Sequence, residues 1–163
     1  MNVYSTDEIE RIEKIREVND RLEEFFADKR SEWNSNLEPL YTSVRTNINR
    51  ETAQNMIQAQ SDCIMYRQLI NEQISNFLNR RSKQDVKLKK IKQDKFLWYA
   101  TSFGVKTNMG EKTLLIEGHV AEEQRNIELI ENYIEFLRAT SKNLEGLQFT
   151  IKNIIELNNI LGR

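Results

Sequence analysis

With 163 residues and 24 Lys and Arg against 25 Asp and Glu, the chain has material for one domain with a modest core and almost no net charge. Five glycines and one proline leave too little punctuation for a sheet-rich protein, and 30% charged side chains suit long helices with wet faces, so an all-α fold is expected. A single cysteine, Cys63, and a single histidine, His119, exclude an internal disulfide and a zinc site built from Cys and His, and no cofactor is expected.

The first element opens at Ser5-Thr6-Asp7-Glu8, where Ser5 and Glu8 have the spacing of a capping box. The acidic residues Asp7, Glu8 and Glu10 do not fit the layout of a signal peptide, and no apolar run nears the length that spans a bilayer. A cytoplasmic protein without a membrane partner is therefore expected. Ile9, Ile12, Val18 or Ile15, Leu22, Phe25 or Phe26 and Trp33 recur at helical spacing and predict a helix to about Asn34, because Pro39 disfavours helical geometry at Glu38. Leu40, Tyr41, Val44 and Ile48 then predict a short helix, which completes an N-terminal helical arm over residues 1–50.

From Glu51 to Phe103 there is neither proline nor glycine, so a long helix is expected. Its apolar row, Cys63, Ile70, Ile74, Phe77, Leu88, Ile91 and Trp98, is interrupted by the seven residues Asn79 to Asp85, where the helix should either break or cross solvent. Cys63, on this row, reads as a buried small hydrophobe. Gly104, Gly110 and Gly118 predict one glycine-rich loop, with a short strand or turn at Thr113 to Ile116, and residues 51–118 read as one region. Over residues 119–163, Val120, Ile127, Ile130, Ile134, Leu137, Leu144, Ile151 and Ile155 follow a heptad rhythm. Such a seam calls for another helix, and Ile127, Ile130, Ile134, Leu137, Leu144, Ile151 and Ile155 are the candidate oligomerisation residues. Gly146 lies within the seam and predicts a kink or a break near Glu145.

Charge is distributed unevenly along these elements. Residues 80 to 112 hold ten basic and three acidic side chains, whereas residues 1 to 79 hold nine and fourteen. The island is densest at Arg80, Arg81, Lys83, Lys87, Lys89, Lys90, Lys92 and Lys95, interrupted only by Asp85 and Asp94, and it runs into Phe96, Trp98, Tyr99 and Phe103. A solvated helix face usually mixes signs. Cations beside aromatic rings are what single-stranded nucleic acid requires, for its phosphates and its unstacked bases. On a helix Lys83, Lys87 and Lys90 form one row and Lys89, Lys92 and Lys95 another, flanking Leu88, Ile91 and Trp98. Phe96 and Leu97 fall to the far sides of that stripe, and Trp98 is equally suited to packing and stacking.

Other chemistries find little support in the chain. The glycine loop lacks the spacing of a phosphate-cradling P-loop, His119 is a lone histidine suited to capping a helix or touching a phosphate, and the carboxylates are spread along helix faces. No enzyme is expected.

The string Ile91-Lys92-Gln93-Asp94-Lys95-Phe96-Leu97-Trp98-Tyr99 resembles the aliphatic, basic, variable, acidic, basic, aromatic, variable, aromatic, aromatic run of UvsY-type recombination mediators of T-even-like phages. Phe149-Thr150-Ile151-Lys152-Asn153-Ile154-Ile155 is similar to that family's closing helix, and the resemblance covers about residues 60 to 160. It implies a non-catalytic, ring-forming homo-oligomer in the host-cell cytoplasm. Such a protein binds single-stranded DNA, displaces a single-strand-binding protein and loads a RecA-like recombinase. By motif match Lys92 and Lys95 would contact DNA, Lys89 and Lys90 would support them, Trp98 and Tyr99 would brace or stack, and the C-terminal helix with Ile151 and Ile155 would close the oligomer. With Arg80, Arg81, Lys83 and Lys87 from the island, these form the candidate DNA-binding set. The alternative is a phage helical adaptor or assembly protein whose basic stretch docks an acidic protein.

Overall fold

The computed structural model describes residues 4–46, 53–104 and 106–162, and its described residues form four helices and no strand. The expected all-α class is what the chain adopts. Helix α1 spans Thr6–Thr46, α2 Ala53–Thr101, α3 Met109–His119 and α4 Ala121–Ile160. Among the described residues no helix is long and apolar enough to cross a membrane.

Helix α1 starts where the capping box placed it. The Glu8 amide meets Ser5 Oγ at 3.3 Å, and Glu8 Oε2 accepts from the Ser5 amide at 3.1 Å. The predicted end near Asn34 does not occur, for α1 continues through Pro39. Proline in a helix interior costs about 3 kcal/mol. Leu37, Leu40 and Val44 are all buried, and burial of each such side chain contributes roughly 1.5–3 kcal/mol, which outweighs the proline. Ile48 and the arm's expected end at residue 50 lie outside the described residues.

Helix α2 runs without a break through Asn79 to Asp85. Arg81 ties that stretch down, pairing with Glu131 of α4 at 2.6 Å and, more loosely, with Asp85 one turn on at 3.9 Å. The glycine-rich region is mostly helix. Asn108 accepts from the Glu111 amide at 2.9 Å while Glu111 returns a bond to the Asn108 amide, a second capping box that starts α3 and carries Thr113 to Ile116 as helix rather than strand. Gly104, at φ +70°, ends the turn after α2 in a conformation that favours glycine. Gly146 lies inside α4, which spans it without interruption.

The helices contribute to two compact units, Met1–Phe25 with Phe77–Asn132 and Phe26–Asn76 with Tyr133–Arg163, so α1, α2 and α4 each divide between them. In the first unit Leu88, Val120 and Ile127 form one buried cluster with Ile91 against it, and Tyr99, Phe103 and Ile116 form another with Trp98 and Leu115. Polar contacts join α1 to α4 there. Asn126 Nδ2 donates to Asn19 Oδ1 at 2.8 Å, and Asn19 Nδ2 donates to the Glu122 carbonyl at 2.8 Å, with both asparagines buried.

In the second unit Phe26 stacks on Tyr133 at 4.4 Å between ring centroids, and both Trp33 and Tyr133 donate to Gln73 Oε1 at 3.3 Å. Cys63, in the same unit, is fully buried, and burial pushes its thiol up to about 11, unsuited to a nucleophile.

The heptad seam corrects an expectation. Ile127 and Ile130 are buried within the first unit, Ile134, Leu137, Leu144 and Ile151 within the second, and Ile155 is half-buried. The pattern does call for partner helices, and the chain's own helices fill that role. The exposed apolar positions of α4 are instead Phe149, Leu157 and Ile160.

Candidate nucleic-acid interface

A helix turns about 100° per residue, so the buried side of α2 fixes where its lysines point. Leu88 and Tyr99 are buried, while Ile91, Lys92, Lys95 and Trp98 are half-buried on the same side. Arg80, Lys83, Lys87 and Lys90 are exposed along one flank of that side, at steps of three, four and three, with Arg80 and Lys87 beside Ile91 and facing Asp7, Glu10 and Lys14 of α1, and Lys89 is exposed on the other flank. The row from Arg80 to Lys90 is about 15 Å long at 1.5 Å per residue. It ends at the exposed Asp94, one turn beyond Lys90.

Of the eight cations between Arg80 and Lys95, Arg81 pairs with Asp85 and Glu131, and Lys95 with Glu8. The other six make no ion pair with any described residue. The positive strip therefore survives as Arg80, Lys83, Lys87 and Lys90, with Lys89 and Lys92 on the second flank. Two members of the predicted set are turned to structural use, Arg81 because it reaches α4 and Lys95 because it lies on the side of α2 that meets α1.

The aromatic pair of the predicted site is also reassigned. Tyr99 is only 3% exposed, and its hydroxyl lies 2.6 Å from His119 Nε2. Burial raises the phenol's pKa, with Glu8 and Tyr4 adding to the effect. Trp98 packs edge-on against Tyr99 at 4.9 Å and tilted on Phe103 at 5.2 Å, with Lys95 Nζ 5.4 Å from its ring centre. Neither ring is free to receive a base. Phe96, 39% exposed, and Leu97, 61% exposed, are the outward residues. Together with Lys92, Gln93, Asp94, Thr113, Ile116 and Glu117 they line a groove of about 570 Å³ between α2 and α3, with one cation and two carboxylates at its rim. Phe96 was absent from the predicted set, although its place opposite Ile91 and Trp98 was readable from helical spacing.

His119 is fully buried and so out of reach of a phosphate in solution. Its Nδ1 lies 3.2 Å from Glu8 Oε1, and the Tyr4 ring sits 4.5 Å from its own. Arg11 donates to the His119 carbonyl at 2.8 Å and pairs with Glu123. Burial lowers the histidine's pKa, with Lys95 and Arg11 adding to the effect and Glu8 opposing it. For Glu8, burial alone would raise the carboxyl, and Lys95, Ser5 and His119 together hold it below the ordinary range. The cluster is a buried polar network around the end of α3. Among the described residues, no group of three or more His, Cys, Asp or Glu could hold a metal ion.

No protein-family model, curated protein or solved structure matches the chain.

Proposed function

We propose that this protein is a non-catalytic single-stranded-DNA-binding protein that uses the two exposed flanks of α2. The carrying observation is a row of exposed cations, Arg80, Lys83, Lys87 and Lys90, that make no ion pair with any described residue, and, on the opposite flank of the same helix, the exposed ring of Phe96 beside Lys89 and Lys92. The cations suit a phosphate backbone, and Phe96 with Leu97 in the α2–α3 groove offers a base an apolar face. This reading keeps the predicted helix and changes its residues: phosphates meet the Arg80–Lys90 row with Lys89 and Lys92, and stacking moves from Trp98 and Tyr99 to Phe96.

The finer role is that of a recombination mediator, which would act on DNA covered by single-strand-binding protein and load a RecA-like recombinase. It rests on the likeness of the Ile91–Tyr99 and Phe149–Ile155 strings to UvsY-type proteins. A ring of copies would multiply the basic strips into one avid surface, and its contacts would draw on exposed positions such as Phe149, Leu157 and Ile160 rather than on the buried seam. Those same apolar positions favour the second reading, a helical adaptor or assembly protein. Fluorescence anisotropy with labelled oligo(dT) at low salt separates the two. Binding that Phe96→Ala weakens supports the first, and a protein that ignores oligo(dT) yet self-associates supports the second.

A further inference from the structure

The cation that the island loses to α1 is lost to an oxyanion. Glu8 stands in the first turn of α1 and pairs with Lys95, and both side chains keep some exposure, 16% and 18%. A phosphate offers Lys95 the same kind of partner as the carboxylate does. Resting on the reading of α2 as a single-stranded-DNA-binding helix, we infer that the turn from Tyr4 to Glu8 is an autoinhibitory clasp. It withholds Lys95 from the polyanion, and the polyanion displaces it to gain that contact.

The turn is seated by specific contacts that are separate from those holding the rest of α1. Tyr4 lies over His119, and its hydroxyl comes within 3.2 Å of where a Cβ on Gly118 would stand, so the glycine leaves room for it. Ser5 and Glu8 hold each other through the capping box. From Arg11 onward α1 has its own anchors: Arg11 on the His119 carbonyl and Glu123, Arg16 on Glu122 at 3.1 Å, and Asn19 on Glu122 and Asn126. The first turn can therefore lift while the helix beyond it stays docked. On lifting, Glu8 gives up Lys95, and the lysine joins Lys89 and Lys92 along one row of α2.

Affinity for a form that is open only part of the time falls by the open fraction. A clasp closed about nine-tenths of the time lowers the affinity about tenfold, and because salt weakens the Glu8–Lys95 pair and so opens the clasp, the unmodified chain loses affinity less steeply with salt than a chain whose clasp is already open.

The test compares the full chain with Glu8→Gln, Tyr4→Ala and Glu13→Gln, using anisotropy of labelled oligo(dT) across a salt series. Glu13, exposed on α1 and outside the clasp, reports what the loss of one negative charge does by itself. Tyr4→Ala unseats the turn with no change of charge, and circular dichroism shows that each variant is folded. The expected result is tighter binding, by about tenfold, and a steeper slope for both Glu8→Gln and Tyr4→Ala than for Glu13→Gln. Tyr4→Ala binding like the unmodified chain, with Glu8→Gln matching Glu13→Gln, overturns the clasp and leaves the DNA-binding reading standing. If neither the unmodified chain nor any variant binds oligo(dT), that reading falls and the clasp falls with it.

Discussion

Replacing Lys83, Lys87 and Lys90 together by alanine removes three of the four cations of the exposed row and leaves both buried clusters of the first unit untouched. Each phosphate neutralised on a single strand contributes about 0.7 to the negative slope of log affinity against log salt. Four contacts from Arg80, Lys83, Lys87 and Lys90 give a slope of about −2.8 for each chain engaged, or roughly a fiftyfold loss between about 50 and 200 mM salt. The triple variant should lose about 2 of that slope and bind more weakly at low salt. Exposed substitutions of this kind usually change stability by no more than about 0.5 kcal/mol each, so the melting transition should move little. Anisotropy of labelled oligo(dT) over a salt series measures both quantities. A flat plot for the unmodified chain, or the same slope for the variant, refutes the assignment of the row to phosphate.

Stability should fall in mild acid because His119 is held neutral by burial. Its folded pKa lies below the ordinary value of 6.5, so the unfolded chain takes up the proton first, and stability decreases as pH drops from 6.5 through the folded value. Urea unfolding at pH 7.5 and 5.5 measures the loss, and His119→Gln should reduce the difference; equal midpoints in the parent chain would contradict it. The Glu8 contribution has its own window, present above its ordinary value of 4.5 and lost as pH falls below that. Leu137→Ala should cost about 2–5 kcal/mol in urea unfolding, as a fully buried leucine does, while Phe149→Ala, at an exposed site, should stay within about 0.5 kcal/mol. If Leu137→Ala altered self-association at unchanged stability, the seam would belong between copies after all. Pro39→Ala should raise stability by about 1–3 kcal/mol by restoring a helical donor, and an unchanged or lowered urea midpoint would show that the helix had already relaxed around the ring.

The elements with local causes were legible in the sequence. Ser5 and Glu8 announced the start of α1, the absence of glycine and proline from Glu51 to Phe103 announced α2, and the heptad rhythm announced α4. Asn108 and Glu111 carry the same capping spacing, but three neighbouring glycines mask it and point to a loop where α3 forms. Pro39 misled because propensity is local, whereas the burial of Leu37, Leu40 and Val44 that overrides it is tertiary. The seam showed that partners exist without showing that they belong to the same chain. Of the candidate site, the exposed lysine row followed from helical spacing alone, and Phe96 could have been found in the same way. The capture of Lys95 by Glu8 joins residues far apart in sequence, and no local pattern marks it.

The buried amides of Asn19 and Asn126 have a consequence at the other end of their helix. Glu8 and Asn19 are eleven residues apart, just over three whole turns, so the two side chains leave α1 on nearly the same side. A slip of α1 along α4 would leave both buried amides without these hydrogen bonds, which fixes the rotational phase of the helix. That phase is what brings the Glu8 carboxylate onto Lys95. One residue inserted between Lys14 and Asn19 would swing the carboxylate about 100° around the axis and free the lysine without altering either member of the pair.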